Sequence, residues 1–285
     1  MAMGWYTGKK VFVVGGSKGI GRSIALQLAK DGAHVMIAAR GQEALDETVA
    51  ALKAAGSDSQ TLASVSVDVT DIQAVHASAE KVLETLGGLD VLICNSGYSR
   101  PGYTHDVPED VFRAMIDVNY LGHVYMTRAF LPHFMKQGNG DICLVSSMMG
   151  FLPLYGYSAY SASKFAIVGF AEALRQEMVP HGVRVGVFYP PTTETPGLEI
   201  ENQTKPRDVW LLESDSAFSS TYSADAVAQA VLRFIPKGRF DSVVGAMNWF
   251  IYLFSRHFPG ISRILTDQEV AGARKKVAAE GASPT

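Results

Sequence analysis

The sequence predicts an α/β fold, a single doubly wound domain with a parallel sheet of about seven strands and helices on both faces. Three observations lead to this prediction. Short apolar runs alternate along the chain with segments of helical periodicity. The runs are apolar at consecutive positions, as is typical of strands that are covered on both faces. A glycine-rich turn joins the first predicted strand to the first predicted helix.

The individual elements follow from these patterns in chain order. Strands are expected at the apolar runs of strand length, which are Lys10–Val14, His34–Ala39, Ser64–Asp68, Val91–Cys94, Asp141–Ser146, Val183–Tyr189 and Asp241–Val244. Helices are expected where the helical period follows, at Gly19–Asp31, Gln42–Ala55, Asp71–Leu86, Pro108 to about Met135, Tyr157–Val179 and Ser223–Ile235. Pro190–Leu212 has neither pattern and is predicted to be a long irregular loop, a kind that is usually functional or mobile.

Composition excludes several classes of protein. Of the 285 residues, 47% are hydrophobic and 19% are charged, which rules out wholesale disorder. Lys and Arg number 25 against 28 Asp and Glu, a net charge of −3, so binding of nucleic acid through phosphate contacts is not expected. The two cysteines, Cys94 and Cys143, cannot form a disulfide framework, and the seven histidines show no metal-ligand spacing. No secretory signal is recognised, and a cytoplasmic location is expected.

The glycine-rich turn is the first candidate binding site. Glycines allow a tight turn and a close approach of the backbone to a pyrophosphate, whose charge is stabilised at a helix N-terminus. A turn that needs glycine only for its backbone angles is the alternative, but the position at the first β–α junction favours a nucleotide. The residues assigned to cofactor binding here are Gly15, Ser17, Lys18, Gly19, Ile20 and Gly21.

A basic residue stands where the second predicted strand ends. A site selective for NADH would place Asp or Glu there for the ribose hydroxyls, whereas this chain has Arg40. A guanidinium pairs with a 2′-phosphate through charge-assisted hydrogen bonds, and Lys18 adds a second positive charge. The predicted cofactor is therefore NADPH/NADP+, with two solvated surface cations as the alternative.

Polar residues also follow the third and fourth predicted strands. In a doubly wound sheet the carboxyl ends of the strands border the ligand crevice. Asp68 ends the third strand, and Asn95, Ser96 and Gly97 follow the fourth. Asp68 is expected either to accept from an adenine amino group or to cap the next helix.

A candidate catalytic set lies in the second half of the chain. Tyr160 and Lys164 are four residues apart in a predicted helix, so they share one face. A phenol has a pKa of about 10, but a neighbouring ammonium and an oxidised nicotinamide lower it, so that Tyr160 can donate a proton to a carbonyl as hydride arrives. Ser147 is predicted to hydrogen-bond that carbonyl, and Asn119 to hold a water beside Lys164. Each feature alone is common in structural helices and strand ends, but their combined order is not.

The chain resembles the short-chain dehydrogenase/reductase family over nearly its whole length. The matching positions are Gly15, Gly19, Gly21, Asn95, Ser96, Gly97, Asn119, Ser147, Tyr160 and Lys164. The resemblance implies a Rossmann-type domain, an Asn–Ser–Tyr–Lys catalytic set and a homodimer or homotetramer. It also implies that Val69, Pro190, Thr193 and Thr195 contact the cofactor, Thr195 at the nicotinamide amide.

Within the family, four stretches resemble the group of 3-ketodihydrosphingosine reductases. The short C-terminal region lacks the longer hydrophobic segments of animal members, so a bacterial-type version is expected. These stretches are Asn119–Gly122, Ala159–Ala166, Tyr189–Gly197 and Glu201–Pro206. The resemblance implies NADPH-dependent reduction of a long-chain amino ketone, 3-dehydrosphinganine, in sphingolipid synthesis. Two alternatives stay open: a reductase of another lipid-like ketone, such as a steroid or a 3-oxoacyl compound, and a nucleotide-binding scaffold without turnover.

Candidate substrate residues come from two segments. Met148 and Leu154 belong to an apolar stretch after Ser147 and are expected to wall a slot for the alkyl chain, with ordinary packing as the alternative. Glu194, in the loop expected to cross the nicotinamide, is the nearest carboxylate by sequence to the substrate's ammonium. A solvated loop acid is the alternative for Glu194.

The C-terminal segment is the last unusual feature. We expect residues 1–245 to form the cofactor-binding domain with the catalytic site, and residues 246–285 to form an apolar helical segment and a tail. Ala246–Phe254 is apolar almost all round, with only Asn248, Tyr252 and the following Ser255 in a thin polar line. It is too short to span a bilayer. Peripheral contact with the cytoplasmic face of a membrane, a subunit contact and a lid over the substrate slot are the alternatives.

Overall fold

Nine strands are present in the structure, a computed structural model that describes residues 4–215 and 220–281. They are β1 (Lys10–Val14), β2 (His34–Ala39), β3 (Leu62–Ser66), β4 (Val91–Cys94), β5 (Gly140–Val145), β6 (Val183–Tyr189), β7 (Thr193–Glu194), β8 (Tyr222–Ser223) and β9 (Asp241–Val243). Seven of them form one parallel sheet in the order β3-β2-β1-β4-β5-β6-β9, and β7 pairs with β8. The predicted doubly wound sheet of about seven strands is confirmed.

Eleven helices surround the strands within the described residues. They are α1 (Gly19–Lys30), α2 (Gln42–Ala55), α3 (Ile72–Leu86), α4 (Glu109–Met115), α5 (Gly122–Gln137), α6 (Ser158–Met178), α7 (Pro196–Asn202), α8 (Arg207–Asp215), α9 (Ala224–Phe234), α10 (Ala246–His257) and α11 (Pro259–Ala279). The elements predicted from the apolar periodicity are present, most of them with bounds within a residue or two.

The core lies on both faces of the sheet because alternate strand residues point in opposite directions. In β1, Phe12 and Val14 belong to one buried cluster, while Val11 and Val13 belong to the other. The first cluster includes side chains of α3, α5 and α6, and the second includes side chains of α1 and α9. This two-sided burial explains why the strands are apolar at consecutive positions.

The third strand differs from its prediction. It spans Leu62–Ser66 rather than Ser64–Asp68, so Asp68 lies two residues beyond its end. The helix cap predicted as one role of Asp68 belongs to Asp71, whose carboxylate accepts from the backbone N–H groups of Gln73 and Ala74. The strand begins two residues earlier because the backbone of Leu62 and Ala63 pairs with β2.

The single helix predicted from Pro108 to about Met135 is interrupted. A π-helical turn, Ile116–Leu121, separates α4 from α5 and contains Asn119. Just after this turn, Gly122 faces Val69, because a Cβ on Gly122 would lie 2.6 Å from Val69 Cγ2. Hydrophobic periodicity does not reveal a π turn, since the helix continues on both sides of it.

The stretch Pro190–Leu212 is not the irregular loop that was predicted. It contains β7, α7 and most of α8, and Thr195 caps α7 through its hydroxyl, which accepts from Leu198 N–H at 3.2 Å. α7 has no fully buried residue, and short helices of this kind leave little periodicity in the sequence. The two helices bring their side chains to the carboxyl edge of the sheet.

The C-terminal helices pack on the rest of the chain. Tyr252 of α10 belongs to the main buried cluster, and Ala273 and Val277 of α11 pack against Leu211 of α8. Arg207 and Glu280 add an ion pair between α8 and the end of α11. In the described part of the chain, no helix combines the length and the apolar character that crossing a bilayer requires.

Candidate active site

A cavity of about 630 Å³ lies at the carboxyl edge of the sheet. Its walls come from the glycine-rich turn after β1 and from the segments that follow β4, β5 and β6. Because all these strands are parallel, their carboxyl ends meet at the same edge. Side chains of α6, α7, α8, α10 and α11 complete the walls, so residues from distant parts of the sequence surround one space.

The glycine-rich turn approaches its neighbours too closely for side chains. Gly15 has a φ of +77°, and a Cβ there would lie 2.8 Å from the backbone nitrogen of Ser96. Asn95 Nδ2 donates to the Gly15 carbonyl at 3.3 Å, which joins the turn to the end of β4. The first turn of α1 contains no acidic residue and no side-chain cap. Its backbone N–H groups are therefore available to an anion, as cradling a pyrophosphate requires.

Only one of the two predicted phosphate cations lines the cavity, although both are exposed. Lys18 lines the cavity, whereas Arg40 is exposed just beyond β2 and outside the cavity wall. Asp68 and Val69 lie further along the same sheet edge, also outside the wall. Asp68 Oδ1 accepts from the Thr70 N–H and hydroxyl at 2.9 and 2.8 Å, and these bonds, with Arg40 as a smaller contribution, hold its pKa below the usual range.

A buried histidine, His123, contacts the backbone of the segment that follows β4. Asn95, Ser96 and Gly97 all line the cavity. His123 Nε2 is 2.8 Å from the Ser96 carbonyl oxygen, and burial, helped by the charge of Lys164, lowers the pKa of His123 to about 3. A neutral imidazole with a hydrogen-bonded carbonyl positions the loop and does not exchange protons near neutral pH.

Tyr160, Lys164 and Ser147 meet at the centre of the cavity. Lys164 Nζ lies 5.6 Å from the centroid of the Tyr160 ring, and all three side chains line the cavity. Burial raises the pKa of Tyr160 above its ordinary value, and hydrogen bonding with Ser147 partly opposes this. The lowering of this pKa that was expected from Lys164 is not present in the protein alone. The phenol is thus kept protonated, as a proton donor must be.

Lys164 is itself strongly affected by burial. Its Nζ donates to the Val145 carbonyl at 3.2 Å, and burial lowers its pKa from 10.5 to about 7. Since no carboxylate in the described residues forms an ion pair with it, the hydrogen bond to Val145 does not make up for the loss of hydration. A lysine in this state changes its charge readily near neutral pH.

Asn119 is buried behind this group, in the π-helical turn. Its Oδ1 accepts from Tyr98 N–H at 3.0 Å, and its Nδ2 donates to the Tyr98 carbonyl at 2.9 Å and to Ser163 Oγ at 3.0 Å. Both amide hydrogens are therefore used within the protein. A Cβ on Gly97 would lie 3.1 Å from Asn119 Oδ1 and 3.3 Å from Lys164 Nζ, so Asn119 and Lys164 flank the same glycine. The predicted water beside Lys164 can use only the remaining lone pair of the side-chain oxygen or the backbone.

The segment after β6 crosses the glycine-rich turn, as expected for the cofactor contacts implied there. A Cβ on Gly19 would lie 3.0 Å from Thr195 Cγ2. The Pro190 carbonyl accepts from Met148 N–H at 3.0 Å, and Thr193 Oγ1 donates to the Pro191 carbonyl at 2.7 Å. All these residues line the cavity. The glycine-rich turn and the segment after β6, both predicted to contact the cofactor, thus lie next to each other.

The cavity is largely apolar. Met148 and Leu154 both line it, as the predicted alkyl slot requires, together with Leu212 of α8. Phe250 and Phe254 of α10 contribute from the C-terminal segment. Of the three alternatives for that segment, the structure thus shows a contribution to the slot, and it leaves membrane or subunit contact to the outer face of α10.

Glu194 is not brought to this cavity. It lies exposed in β7 and outside the wall. The carboxylates that do line the cavity are Glu201, Glu213 and Glu269, which sequence reasoning did not single out. Glu201 and Lys205 have helical i,i+4 spacing, which would have drawn attention to them had the stretch been predicted as helical.

Metal binding finds no support in the part of the chain that the structure describes, because no three His, Cys, Asp or Glu side chains group there in a way that could hold an ion. Cys94 and Cys143 are free and buried, and burial raises the pKa of each thiol, that of Cys94 to about 12. Neither cysteine is therefore a candidate nucleophile.

Comparison with known proteins places this geometry in context. Residues 9–206 match the short chain dehydrogenase family. The chain is 40% identical over 246 residues to the 3-dehydrosphinganine reductase of Danio rerio, an alignment that covers 86% of this chain and 73% of the relative. It is 37% identical to the 3-ketodihydrosphingosine reductase of Bos taurus with the same coverage. With the 3-dehydrosphinganine reductase TSC10B of Arabidopsis thaliana it shares 38% identity over 81% of this chain and 68% of the relative.

Proposed function

Since the chain belongs to the short chain dehydrogenase family and is an oxidoreductase that uses a nicotinamide cofactor, we propose that it reduces 3-dehydrosphinganine to sphinganine with NADPH. One observation carries the proposal. A single cavity joins the Ser147–Tyr160–Lys164 group to an apolar slot that Met148 and Leu154 line. Relatives named for this reaction, at 37 and 40% identity, give the substrate.

The residues around the glycine-rich turn fit a dinucleotide. The close approach at Gly15 and the uncapped start of α1 leave space and backbone donors for a pyrophosphate. Lys18 and Arg40 supply the positive charge that favours a 2′-phosphate, and no carboxylate takes the place of Arg40. NADPH is therefore the proposed cofactor, and it supplies the hydride when bound.

Each member of the catalytic group has a distinct task in this proposal. Ser147 hydrogen-bonds the ketone oxygen and orients it towards Tyr160. The protonated Tyr160 hydroxyl gives its proton to that oxygen as negative charge develops there. Lys164, whose charge stabilises the resulting phenolate, is held by the Val145 carbonyl. Asn119 holds the Tyr98 backbone through two hydrogen bonds, is tied to Ser163 of α6 by a third, and acts as a positioning residue.

The outer face of the C-terminal helices supports a peripheral membrane contact. Met247, Phe250, Phe258, Ile261 and Ile264 are between 50 and 60% exposed. These five side chains, here called the apolar strip, belong to α10, to α11 and to Phe258 between them, and Phe250 also lines the cavity. A substrate with a long alkyl chain partitions into bilayers, so we propose that this strip docks on an anionic bilayer at the mouth of the slot.

The same proposal includes the location and assembly of the enzyme. We propose a cytoplasmic location with the membrane contact on the cytoplasmic face, and the free buried cysteines are compatible with such a reducing compartment. A homodimer or homotetramer is proposed from the family resemblance, and light scattering after size-exclusion chromatography measures it. The apolar strip is the competing site for a subunit contact.

A substrate panel tests the proposed activity. NADPH oxidation is followed with no substrate, with 3-dehydrosphinganine, with a steroid ketone and with a 3-oxoacyl thioester. We expect kcat/KM to be highest for 3-dehydrosphinganine. A higher kcat/KM for either competitor would contradict the substrate assignment, and an absence of turnover with all ketones would indicate a nucleotide-binding scaffold.

A further inference from the structure

An ionic cluster of four side chains borders the catalytic cavity. Lys205 Nζ contacts Glu201 Oε1 at 3.1 Å and also pairs with Glu213. The Tyr157 hydroxyl donates to Glu201 Oε1 at 2.5 Å. Glu201, Glu213 and Tyr157 line the cavity, while the Lys205 side chain lies behind them with only 1% of its surface exposed. The cluster links α6, α7 and α8 at one wall.

The charges of this cluster do not balance. Two carboxylates face one ammonium, which leaves a formal charge of −1. A partly buried carboxylate without a full counter-charge is unfavourable, because it loses hydration that nothing replaces. The exposed parts of both carboxylates, 14% for Glu201 and 13% for Glu213, belong to side chains that line the cavity. A cation in the cavity would complete the balance.

The cluster also lies close to the reacting atoms. The negative charges of Glu201 and Glu213 both raise the pKa of Tyr160, so they act on the hydroxyl that delivers the proton. The Tyr157 ring, which lies over this region, has its centroid 6.3 Å from that of Tyr160. A substrate ketone that accepts from Tyr160 therefore lies in the same cavity that Glu201 and Glu213 line.

The proposed substrate carries an ammonium at this position. In 3-dehydrosphinganine the amino group is on the carbon directly bonded to the ketone carbon. We infer that Glu201 and Glu213 bind the substrate's ammonium and so make the enzyme select 2-amino ketones over plain long-chain ketones. The inference rests on the proposed function and deepens it, and it replaces Glu194 as the ammonium partner.

Lys205 has a positioning role in the cluster. Lys205 holds the two carboxylates from α7 and α8 at one place, so it positions them without touching the substrate. Without Lys205, two carboxylates would repel each other at this wall. With it, one net negative charge remains for the ligand.

Matched charge-neutralising variants test the inference. Glu213→Gln removes the carboxylate that α8 contributes to Lys205, and Glu201→Gln removes the one from α7. Glu199→Gln is the control, because Glu199 lies in α7 but is exposed and does not line the cavity. Each variant is assayed with 3-dehydrosphinganine and with 1-hydroxyoctadecan-3-one, which differs by the amino group alone.

We expect Glu213→Gln and Glu201→Gln to lower kcat/KM for the amino ketone at least about tenfold, mainly through KM. The loss on the ketone without the amine should be at least about fivefold smaller, because only the effect of the two charges on Tyr160 acts there. Its remaining turnover also shows that the variants fold and bind NADPH. Glu199→Gln should leave both substrates unaffected. Equal losses on both ketones, or no loss on either, would overturn the inference.

Inhibition of the unmodified enzyme by product analogues tests ammonium recognition independently of the variants. With NADP+ present, sphinganine should inhibit at least about tenfold more strongly than octadecane-1,3-diol, which lacks the amine. Equal inhibition would contradict ammonium recognition even if the variants do not fold. A wild-type enzyme that reduces neither ketone would instead contradict the proposed function, so the two failures are distinguishable.

Discussion

Tyr160 and Lys164 act through their burial as much as through their chemical type. Burial keeps the Tyr160 phenol protonated, and burial lowers the pKa of Lys164 to about 7. The sequence predicted the pair from its four-residue spacing, and the two side chains do meet. The direction of the Tyr160 shift could not be predicted, since it depends on how many atoms of other segments cover the hydroxyl.

Tyr160→Phe tests the proton donor. The phenyl ring keeps the packing but has no hydroxyl, so NADPH oxidation with the ketone should fall at least about 100-fold. NADPH binding, followed by fluorescence, should persist. Tyr155→Phe is the control, because Tyr155 lies outside the cavity wall and loses the same atom. Near-normal turnover in Tyr160→Phe would contradict the assigned role.

Lys164→Met tests the effect of burial on the lysine. Between the folded pKa of about 7 and the ordinary value of 10.5, the unfolded chain binds one more proton than the folded one, so wild-type stability rises with pH there. Without nucleotide, the Met variant should be the more stable at pH 6, by on the order of a few kcal/mol. That advantage should shrink as the pH rises above about 7.

Urea unfolding of both proteins across this pH range measures the difference in the free energy of unfolding. Lys136→Met, in the exposed last turn of α5, is the control and should show no such pH dependence. A stability difference between Lys164→Met and the wild type that stays constant with pH would mean that Lys164 is not desolvated in solution.

Arg40→Asp tests the cofactor assignment. A carboxylate there repels a 2′-phosphate and accepts from ribose hydroxyls, so the ratio of kcat/KM for NADH to that for NADPH should rise at least about tenfold. Lys30→Asp is the control. It makes the same charge change in the last turn of α1, away from the glycine-rich turn, and should leave the ratio unchanged. An unchanged ratio in Arg40→Asp would show that Arg40 is only a surface cation.

At the scale of elements, α10 is oriented in a way that its sequence did not indicate. Its thin polar line, Asn248, Tyr252 and Ser255, is buried against the protein together with Ile251. Most of its other apolar side chains are exposed, among them Met247, Trp249 and Leu253. Asn248 Nδ2 donates to the Val244 carbonyl at 2.8 Å, and Tyr252 bonds with Asp241 and Arg256. A hydrophobic pattern that is almost uniform carries no information about which side packs, so only tertiary contacts decide it.

The exposed strip on α10 and α11 predicts binding to anionic liposomes at low salt. Met247→Ser with Ile261→Ser and Ile264→Ser should reduce cosedimentation at least about fivefold, because the three side chains supply buried apolar area on docking. None of them lines the cavity, so NADPH turnover of a short soluble ketone should stay unchanged.

Val179→Ser is the control for this prediction, since Val179 is 64% exposed but lies at the end of α6. It should leave liposome binding as it is. If the unmodified protein does not cosediment, the strip belongs to a subunit interface, and light scattering should then show dissociation of the triple variant.

At the scale of the whole molecule, the sequence predicted the sheet, its parallel direction and the order of the catalytic residues. These follow from local patterns: apolar runs, the Gly15–Gly21 turn and the Tyr160–Lys164 spacing. The π turn around Asn119 and the helices within Pro190–Leu212 were missed, because neither produces a long periodic signal. The ionic cluster of Glu201, Lys205 and Glu213 depends on those missed helices and therefore could not be predicted from the sequence.

The most direct test of the whole account follows the transferred hydride. The protein is incubated with 3-dehydrosphinganine and NADPH that carries deuterium at both C4 positions of the nicotinamide, and the product is analysed by mass spectrometry. The account predicts sphinganine with one deuterium, located on carbon 3. Sphinganine without deuterium, or unconverted ketone beside oxidised cofactor, would contradict it.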